Sequence, residues 1–254
     1  MSYLQALIFG IVEGITEFLP ISSTGHLILT GKAMGLQQTD FLKTFEISIQ
    51  LGAILSVVVL YWRSLLIDFD ILKRVMTAFL PTAVLGLILY KIIKRYLLSS
   101  SNVVLWSLFL GGAFLIVFEL LHKEREDSVE HLDCISYKQS LMIGLFQSIA
   151  MVPGVSRSAA TIVGGLLLGL RRKTIVEFSF LLAVPTMAAA TGLDLLKNAG
   201  SFSFDQLSFL SIGFVVSFLS ALAAVKFLLA FIKNHTFVSF GIYRIALVLV
   251  FWLS

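Results

Sequence analysis

The chain has 254 residues, of which 58% are hydrophobic and 13% are charged, and its mean hydropathy is +0.96. Soluble domains carry about 25% charged residues, so this composition excludes an ordinary soluble globular protein. The formal charge of +4 is spread over the loops, and without a basic run there is no reason to expect a nucleic-acid partner. The single cysteine, Cys134, excludes an internal disulfide.

Each half of the chain opens with two short apolar segments that are separated by a turn containing proline or glycine. Irregular backbone at membrane depth survives only where it is buried in protein or lines water. We therefore interpret each pair of segments as a re-entrant helix–loop–helix that enters and leaves the membrane on one face. The first hairpin comprises Leu4–Leu19 and Ser22–Met34, and the second comprises Gln139–Val152 and Ser158–Leu170.

Three longer apolar segments follow each hairpin. A helix needs about 20 residues to cross a bilayer, and the alternating pattern of a membrane β-barrel is not present. The sequence therefore predicts an all-α polytopic membrane protein. Its predicted spans are Phe41–Trp62, Arg74–Arg95, Val103–Leu121, Thr174–Leu195, Leu207–Phe231 and Phe237–Leu253.

The two halves also resemble each other in sequence. The correspondences are Gly10–His26 with Gly144–Ala160, Phe45–Ala53 with Val176–Val184, Glu13 with Gln147, and Ser23 with Ser156 after a one-residue slip. They predict internal repeats at about 1–122 and 139–254, joined by a charged cytoplasmic loop 123–138 within one membrane domain, 1–254. Because three spans per half is an odd number, the second half should insert upside down, as an inverted-topology repeat.

Basic residues near the ends of spans predict the orientation, since they are enriched on the cytoplasmic side. The face of the central loop carries Arg63, Lys73, Arg74, Lys123, Arg125, Lys138, Arg171, Arg172, Lys173, Lys226 and Lys233. The opposite face carries only Lys32, Lys43, Lys91, Lys94, Arg95 and Lys197. Both termini are therefore expected outside, and the site between the hairpins is expected to open to the periplasmic side.

Two carboxylates stand in the first apolar run, which also lacks the basic start of a cleavable signal peptide. Glu13 and Glu17 are four residues apart, so they lie on one face of a helix. Their mutual repulsion needs a cation or a shared proton, and Mg²⁺ commonly takes one or two carboxylates together with phosphate oxygens. We predict a divalent-metal or catalytic role for the pair, with a structural polar contact as the alternative.

The turn of the first hairpin adds hydroxyl groups and an imidazole. Ser22 and Thr24 precede a helix and can serve as simple helix caps, although Thr24 is also a candidate for substrate binding. Ser23 is a candidate nucleophile, and His26 is a candidate acid, base or nucleophile. The sequence does not choose between Ser23, His26 and water as the group that attacks.

The turn of the second hairpin is suited to an anion. Arg157 stands between Ser156 and Ser158 after Gly154, and a guanidinium can bind phosphate with two parallel hydrogen bonds. Turn amides at a helix N-terminus also favour an anion, so these four residues are candidate substrate-binding residues. Pairing of Arg157 with Glu13 or Glu17 is the structural alternative, and it is compatible with binding.

Other polar residues in the spans are weaker candidates. Glu46 is expected to shape the cavity, and Glu177 is expected to form an ion pair with the basic segment Arg171–Lys173. Arg244 and Tyr243 are interpreted as packing against a helix end.

A metal, an anion clamp and a nucleophile or base are the parts that phosphoryl transfer requires. The combination predicts hydrolysis of a phosphate ester or anhydride beside a membrane, on a substrate with a lipid tail. A lipid-phosphate flippase or anion transporter is one alternative, because inverted repeats with broken helices are typical of transporters. An intramembrane serine protease using Ser23 and His26 is another, although it would need neither Arg157 nor a metal.

The stretches EGITEFLPISSTGHL (Glu13–Leu27) and PGVSRS (Pro153–Ser158), with QLGAIL, EFSFLLAVPT and YRI in the same order, carry a family resemblance. The chain resembles the undecaprenyl-diphosphate phosphatase family, also called the bacitracin resistance protein family. The resemblance implies removal of the terminal phosphate of undecaprenyl diphosphate in the bacterial inner membrane, which recycles the lipid carrier for peptidoglycan. Ala159 departs from the glycine that the family often has there, which puts the backbone shape of that turn in question.

The resemblance also implies a divalent cation, Mg²⁺ or Ca²⁺, as cofactor. It places Glu13, Glu17, Ser23 and His26 in the catalytic motif, and Ser156, Arg157 and Ser158 in the arginine motif. The expected partners are the polyprenyl diphosphate substrate, the membrane lipids and, as one assembly to consider, a second copy of the chain in a homodimer.

Overall fold

The computed structural model describes residues 1–37, 39–92, 101–124, 127–198 and 206–253. Within these ranges the chain forms α-helices, two short 3₁₀ turns and a single β-bridge between Val129 and Leu170. The helices are α1 Tyr3–Thr16, α2 Ser23–Ala33, α3 Asp40–Leu60, α4 Trp62–Leu66, α5 Phe69–Ile92, α6 Ser101–Leu121, α7 Tyr137–Ser148, α8 Arg157–Leu167, α9 Arg172–Asn198, α10 Leu207–Phe231 and α11 Val238–Leu253.

Five of these helices, α3, α5, α6, α9 and α10, are long and apolar enough to cross a bilayer. Each coincides with a predicted span, which confirms the all-α polytopic fold class. The sixth predicted span, Phe237–Leu253, is a helix of only 16 residues, Val238–Leu253, which is shorter than the usual crossing length. Of the basic residues used to predict the orientation, Lys94, Arg95 and Arg125 lie outside the described residues.

The two hairpins begin in the same way. Ser2 accepts a hydrogen bond from the backbone N–H of Gln5, and the Gln5 side chain accepts one from the N–H of Ser2. Ser136 and Gln139 make the same reciprocal pair at the start of α7. This capping box satisfies backbone donors that the first helical turn otherwise leaves unpaired, so a Ser-x-x-Gln sequence starts the first helix of each hairpin.

The helices pack in matching pairs. The long helices α3 and α9 contact each other, while α1 packs against α10 and α7 packs against α5. The approach is close in both hairpins, since a methyl group on Gly10 would lie 2.8 Å from the carbonyl oxygen of Gly213, and one on Gly144 would collide with the carbonyl of Ala78. Small residues allow helix backbones to approach in this way. The first helix of each hairpin thus packs against a long helix from the other half of the chain.

Charged side chains at the ends of α6 and α9 and in the central loop pair with one another. Arg172 at the start of α9 binds the Glu119 carboxylate with two hydrogen bonds, at 2.8 and 3.1 Å, and Arg171 pairs with Glu130. Lys173 lies 4.0 Å from Glu177, as predicted from the sequence. These contacts fix the start of α9, whose middle part lines the site.

Candidate active site

The residues singled out in the sequence lie in two short turns and in the helices that flank them. The first turn joins α1 to α2, and the second joins α7 to α8. Ser22 and Ser156 end these turns in the left-handed region, with φ of 71° and 79°, which costs about 1–3 kcal/mol for a residue with a side chain. Each serine caps the next helix, because its hydroxyl accepts a hydrogen bond from the backbone N–H three residues later.

This capping refines the correspondence between the halves. Ser22 and Ser156 occupy the same cap position, whereas the sequence comparison had paired Ser156 with Ser23. Ser23 and Arg157 are therefore equivalent, each the first residue of its helix. Ala159 donates its N–H to Ser156 at 3.2 Å within the ordinary cap, so the departure from glycine is accommodated here.

The two turns meet. Arg157 forms a salt bridge with Glu17 at 3.1 Å and donates a further hydrogen bond to the carbonyl of Ser179 on α9 at 3.0 Å. Ser158 donates to the carbonyl of Phe18 at 2.8 Å. The Nε–H of Arg157 is buried and has no acceptor in the described part of the chain, so one donor of the guanidinium is available to a ligand.

Ser23 is aligned with a base. Its hydroxyl donates a hydrogen bond of 2.5 Å to Oε2 of Glu17, whose other oxygen faces Arg157. Both residues are buried, which strengthens the electrostatic interaction between them. A carboxylate that accepts the proton of a serine hydroxyl is the arrangement that activates a serine nucleophile.

Glu13 is completely buried one helical turn before Glu17, and in the described ranges neither of its carboxylate oxygens accepts a hydrogen bond. It lies within electrostatic range of Glu17, Glu46 and Arg157. Glu13 and Glu17 together bring two carboxyl groups beside the single guanidinium of Arg157. The unpaired carboxyl of Glu13, one turn from Glu17, suits a divalent cation that takes its remaining ligands from phosphate, whereas both oxygens of Glu17 already accept hydrogen bonds. The described residues hold no group of three or more acidic, histidine or cysteine ligands.

His26 is held apart from Ser23. Its Nδ1–H donates to the carbonyl of Ser22 at 2.8 Å, which leaves Nε2 of the neutral ring to accept from the Tyr243 hydroxyl at 2.9 Å. The two rings are stacked, with centroids 5.5 Å apart. In this arrangement Glu17, and not His26, is the base in contact with Ser23.

Arg244 is the polar residue whose importance the sequence interpretation missed. It is fully buried and contacts both turns rather than a helix end. The available signal was the presence of an arginine inside an apolar segment, which marks a functional candidate by default. Thr24 is half-buried in the first turn of α2, and Gly154 lies in the second turn at φ 95°.

The second half lacks a copy of the carboxylate pair. Gln147, which corresponds to Glu13, is buried on α7 and donates hydrogen bonds to Thr82 at 2.9 Å and Thr186 at 3.1 Å. This neutral cluster has no charge for a cation or a proton transfer. The carboxylate pair of the site therefore comes from the first hairpin and not from the second.

Comparison with known proteins gives consistent results over the whole chain. A family model described as bacitracin resistance protein BacA matches residues 6–250. Proteins named undecaprenyl-diphosphatase are similar throughout: that of Sulfurihydrogenibium sp. is 54% identical over 100% of this chain and 99% of its own length. Those of Aquifex aeolicus and Wolinella succinogenes are each 53% identical over 99% of this chain, covering 98% and 97% of their lengths.

Proposed function

We propose that this chain, which belongs to the bacitracin resistance protein BacA family, is an undecaprenyl-diphosphatase. It hydrolyses the terminal phosphate of undecaprenyl diphosphate to give undecaprenyl phosphate and inorganic phosphate. The product is the recycled lipid carrier for peptidoglycan synthesis, and its regeneration confers bacitracin resistance. The observation that carries the proposal is the buried contact of Glu17 with both Ser23 and Arg157.

Ser23 is the proposed nucleophile. Its proton passes to Glu17 as Oγ attacks the terminal phosphorus, and the bond from that phosphorus to the bridging oxygen breaks. Undecaprenyl phosphate leaves and a phosphoserine remains. Water then attacks the phosphorus of the phosphoserine, and the bond from phosphorus to the serine oxygen breaks. The serine oxygen regains its proton from Glu17, and both protons of the water leave on the released dihydrogen phosphate. The 2.5 Å hydrogen bond between Ser23 and Glu17 supports this order of proton transfers.

Arg157 is the proposed clamp for the diphosphate, with Ser156, Ser158, Thr24 and Gly154 as the surrounding binding residues. The free Nε–H of Arg157 supports this role, and so does the position of the guanidinium beside the base of the reaction. A guanidinium stabilises the negative charge that spreads over the phosphoryl oxygens in the transition state. The N-termini of α2 and α8 add backbone N–H groups that favour an anion.

A divalent cation, Mg²⁺ or Ca²⁺, is the proposed cofactor. Glu13 and Glu17 would hold it, since Glu13 has unpaired buried oxygens and the site places two carboxyl groups beside one guanidinium. The cation supplies charge neutralisation for a substrate that brings further negative charge. With the cation held by Glu13 and Glu17, Arg157 would remain the side chain that binds the diphosphate directly.

His26 and Tyr243 are proposed to hold the water that attacks the phosphoserine. The imidazole is fixed by Ser22 on one side and Tyr243 on the other, so the acceptor that this pair offers to a water is the hydroxyl oxygen of Tyr243. Nucleophilic attack by His26 itself would require Nε2 to leave Tyr243, whereas Ser23 already contacts a base. The geometry therefore supports Ser23 over His26 as the group that forms the covalent intermediate.

The chain is a multi-pass membrane protein, and the proposed location is the bacterial inner membrane with the site open to the periplasm. Inverted insertion of the halves 1–122 and 139–254 is part of the same proposal, supported by the matched caps and helix pairings. The head group would enter between the hairpins while the tail stays in lipid. A homodimer is an assembly to test by cross-linking in native membranes.

Phosphate release by the purified protein in detergent tests the proposed function. We expect divalent-dependent release of one phosphate per undecaprenyl diphosphate, abolished by a chelator. A flippase or anion transporter would release no phosphate in detergent and would show activity only in sealed vesicles. Activity that survives the chelator, or cleavage of a peptide bond, would contradict the metal-dependent phosphatase.

A further inference from the structure

Arg244 of α11 bonds to five backbone carbonyls. An arginine side chain has five N–H donors, and all five are used. Nε donates to Leu108 at 3.2 Å, Nη1 to Pro20 at 3.4 Å and Val155 at 3.0 Å, and Nη2 to Ser107 at 3.0 Å and Gly154 at 2.8 Å. One guanidinium thus joins α6, the first turn and the second turn.

The side chain is placed by close packing. A methyl group on Gly111 would collide with Nη2 of Arg244, and one on Gly112 would lie 3.1 Å from its Cβ. The residue is fully buried, and no carboxylate in the described ranges forms a salt bridge with it. Burying a charge without an ion pair is expensive, so the five carbonyl dipoles must offset the loss of hydration.

The carbonyls that Arg244 binds lie next to the reacting groups. Pro20 stands between Glu17 and Ser23 in the first turn, and Gly154 and Val155 come shortly before Arg157 in the second. A shift of either turn would change the distance from Arg157 to Glu17 and the alignment of Ser23. We propose that Arg244 is a positioning residue that fixes the two turns against each other and so sets the geometry of the phosphatase site.

This inference rests on the proposed function, because it assigns Arg244 a part in the same reaction. It differs from a purely structural role in one measurable respect. A positioning residue acts through the groups that it aligns. The effect of its replacement on activity therefore depends on whether those groups are intact. A residue that only stabilises the fold lowers activity by the same factor whether or not Arg157 is intact.

A double-mutant cycle on detergent-purified protein measures this dependence. Arg244→Lys should lower kcat/KM by about 100-fold, the effect of misplacing reacting groups by about 1 Å. In the Arg157→Lys background the same change should lower kcat/KM further by less than about threefold. Arg172→Lys is the matched control, since Arg172 is a partly buried arginine paired with Glu119; its effect should be the same in both backgrounds. Equal factors for Arg244→Lys in the two backgrounds would overturn the inference.

Amide hydrogen exchange tests the same idea without using activity. Arg244→Lys should speed exchange in segments 18–22 and 153–157 and leave α3 and α9 unchanged. Unchanged exchange in both turns, or faster exchange throughout the chain, would contradict a clamp between the turns. If the wild-type protein released no phosphate but this exchange pattern appeared, the proposed function would fail and the clamp would stand.

A glycine substitution provides a second variant in case Arg244→Lys does not fold. Gly111→Ala keeps Arg244 in the sequence, but the added methyl group displaces its guanidinium. The variant should therefore reproduce the local exchange pattern and show a fall in kcat/KM. Gly86→Ala is the control, because the nearest atom to a methyl group there, Cε of Met151, lies at an ordinary 3.6 Å. Equal behaviour of the two alanine variants would overturn the inference.

Discussion

Replacement of Glu17 by glutamine removes one charge and leaves the shape of the side chain. Two buried contacts depend on that charge, the 2.5 Å hydrogen bond from Ser23 and the 3.1 Å salt bridge with Arg157. Loss of a positioned general base lowers a rate by about 10²–10⁴-fold, which corresponds to about 3–5 kcal/mol of transition-state stabilisation. We expect kcat for phosphate release by Glu17→Gln to fall within that range.

The same substitution leaves the buried Arg157 without its ion-pair partner. Breaking a buried pair from one side costs about 3–5 kcal/mol of folding free energy, so the thermal transition in detergent should also fall. Glu177→Gln is the matched control, because Glu177 lies on α9 and its nearest cation, Lys173, is 4.0 Å away and exposed. That variant should keep its activity and lose at most about 1 kcal/mol. Near-normal turnover by Glu17→Gln would refute the assignment of the base.

Three further predictions concern neighbouring residues. Glu13→Gln should raise the Mg²⁺ concentration for half-maximal activity by about tenfold or more, because a loss of about 1.4 kcal/mol of cation-binding free energy raises the dissociation constant tenfold. An unchanged Mg²⁺ titration would exclude Glu13 as a ligand. Tyr243→Phe removes one hydrogen bond to His26 and should lower kcat by about 2- to 12-fold, with no change expected if the pair plays no part in turnover. Gln147→Leu should keep kcat within about twofold but lower the thermal transition, since it removes the hydrogen bonds from Gln147 to Thr82 and Thr186 and leaves the hydroxyl of Thr82 to accept only the 3.4 Å contact from Ser148 among the described residues; a large loss of kcat would place the second hairpin's neutral cluster in the reaction.

Much of the fold could be predicted because it follows from local chemistry. Hydropathy alone locates the long spans, since a helix must be apolar over the full thickness of the bilayer. The turns could be located because proline, glycine and serine interrupt apolar helices within the hairpins. Glu17 and Arg157, which are far apart in sequence, could be brought together only through the predicted repeat, and the structure places them 3.1 Å apart.

Other features depend on three-dimensional packing and left little trace in the sequence. The cap positions of Ser22 and Ser156 follow from backbone torsions. An alignment of the two half-sequences pairs Ser156 with Ser23 instead, one residue away. Tyr243 and Arg244 lie more than 200 residues after the first turn, and no spacing rule links them to His26 or Pro20. An arginine that binds carbonyls also has no sequence partner to search for, because every residue carries a carbonyl group.

The covalent intermediate is the most direct test of the central claim, that Ser23 attacks phosphorus with Glu17 as its base. Purified protein would be mixed with undecaprenyl diphosphate labelled in the terminal phosphate, quenched in acid within one turnover, and digested for peptide mapping. We predict an acid-stable label on Ser23 that is lost in Ser23→Ala and kept in Ser22→Ala. An acid-labile label on His26, or phosphate that takes its new oxygen from solvent with no labelled protein, would contradict the account.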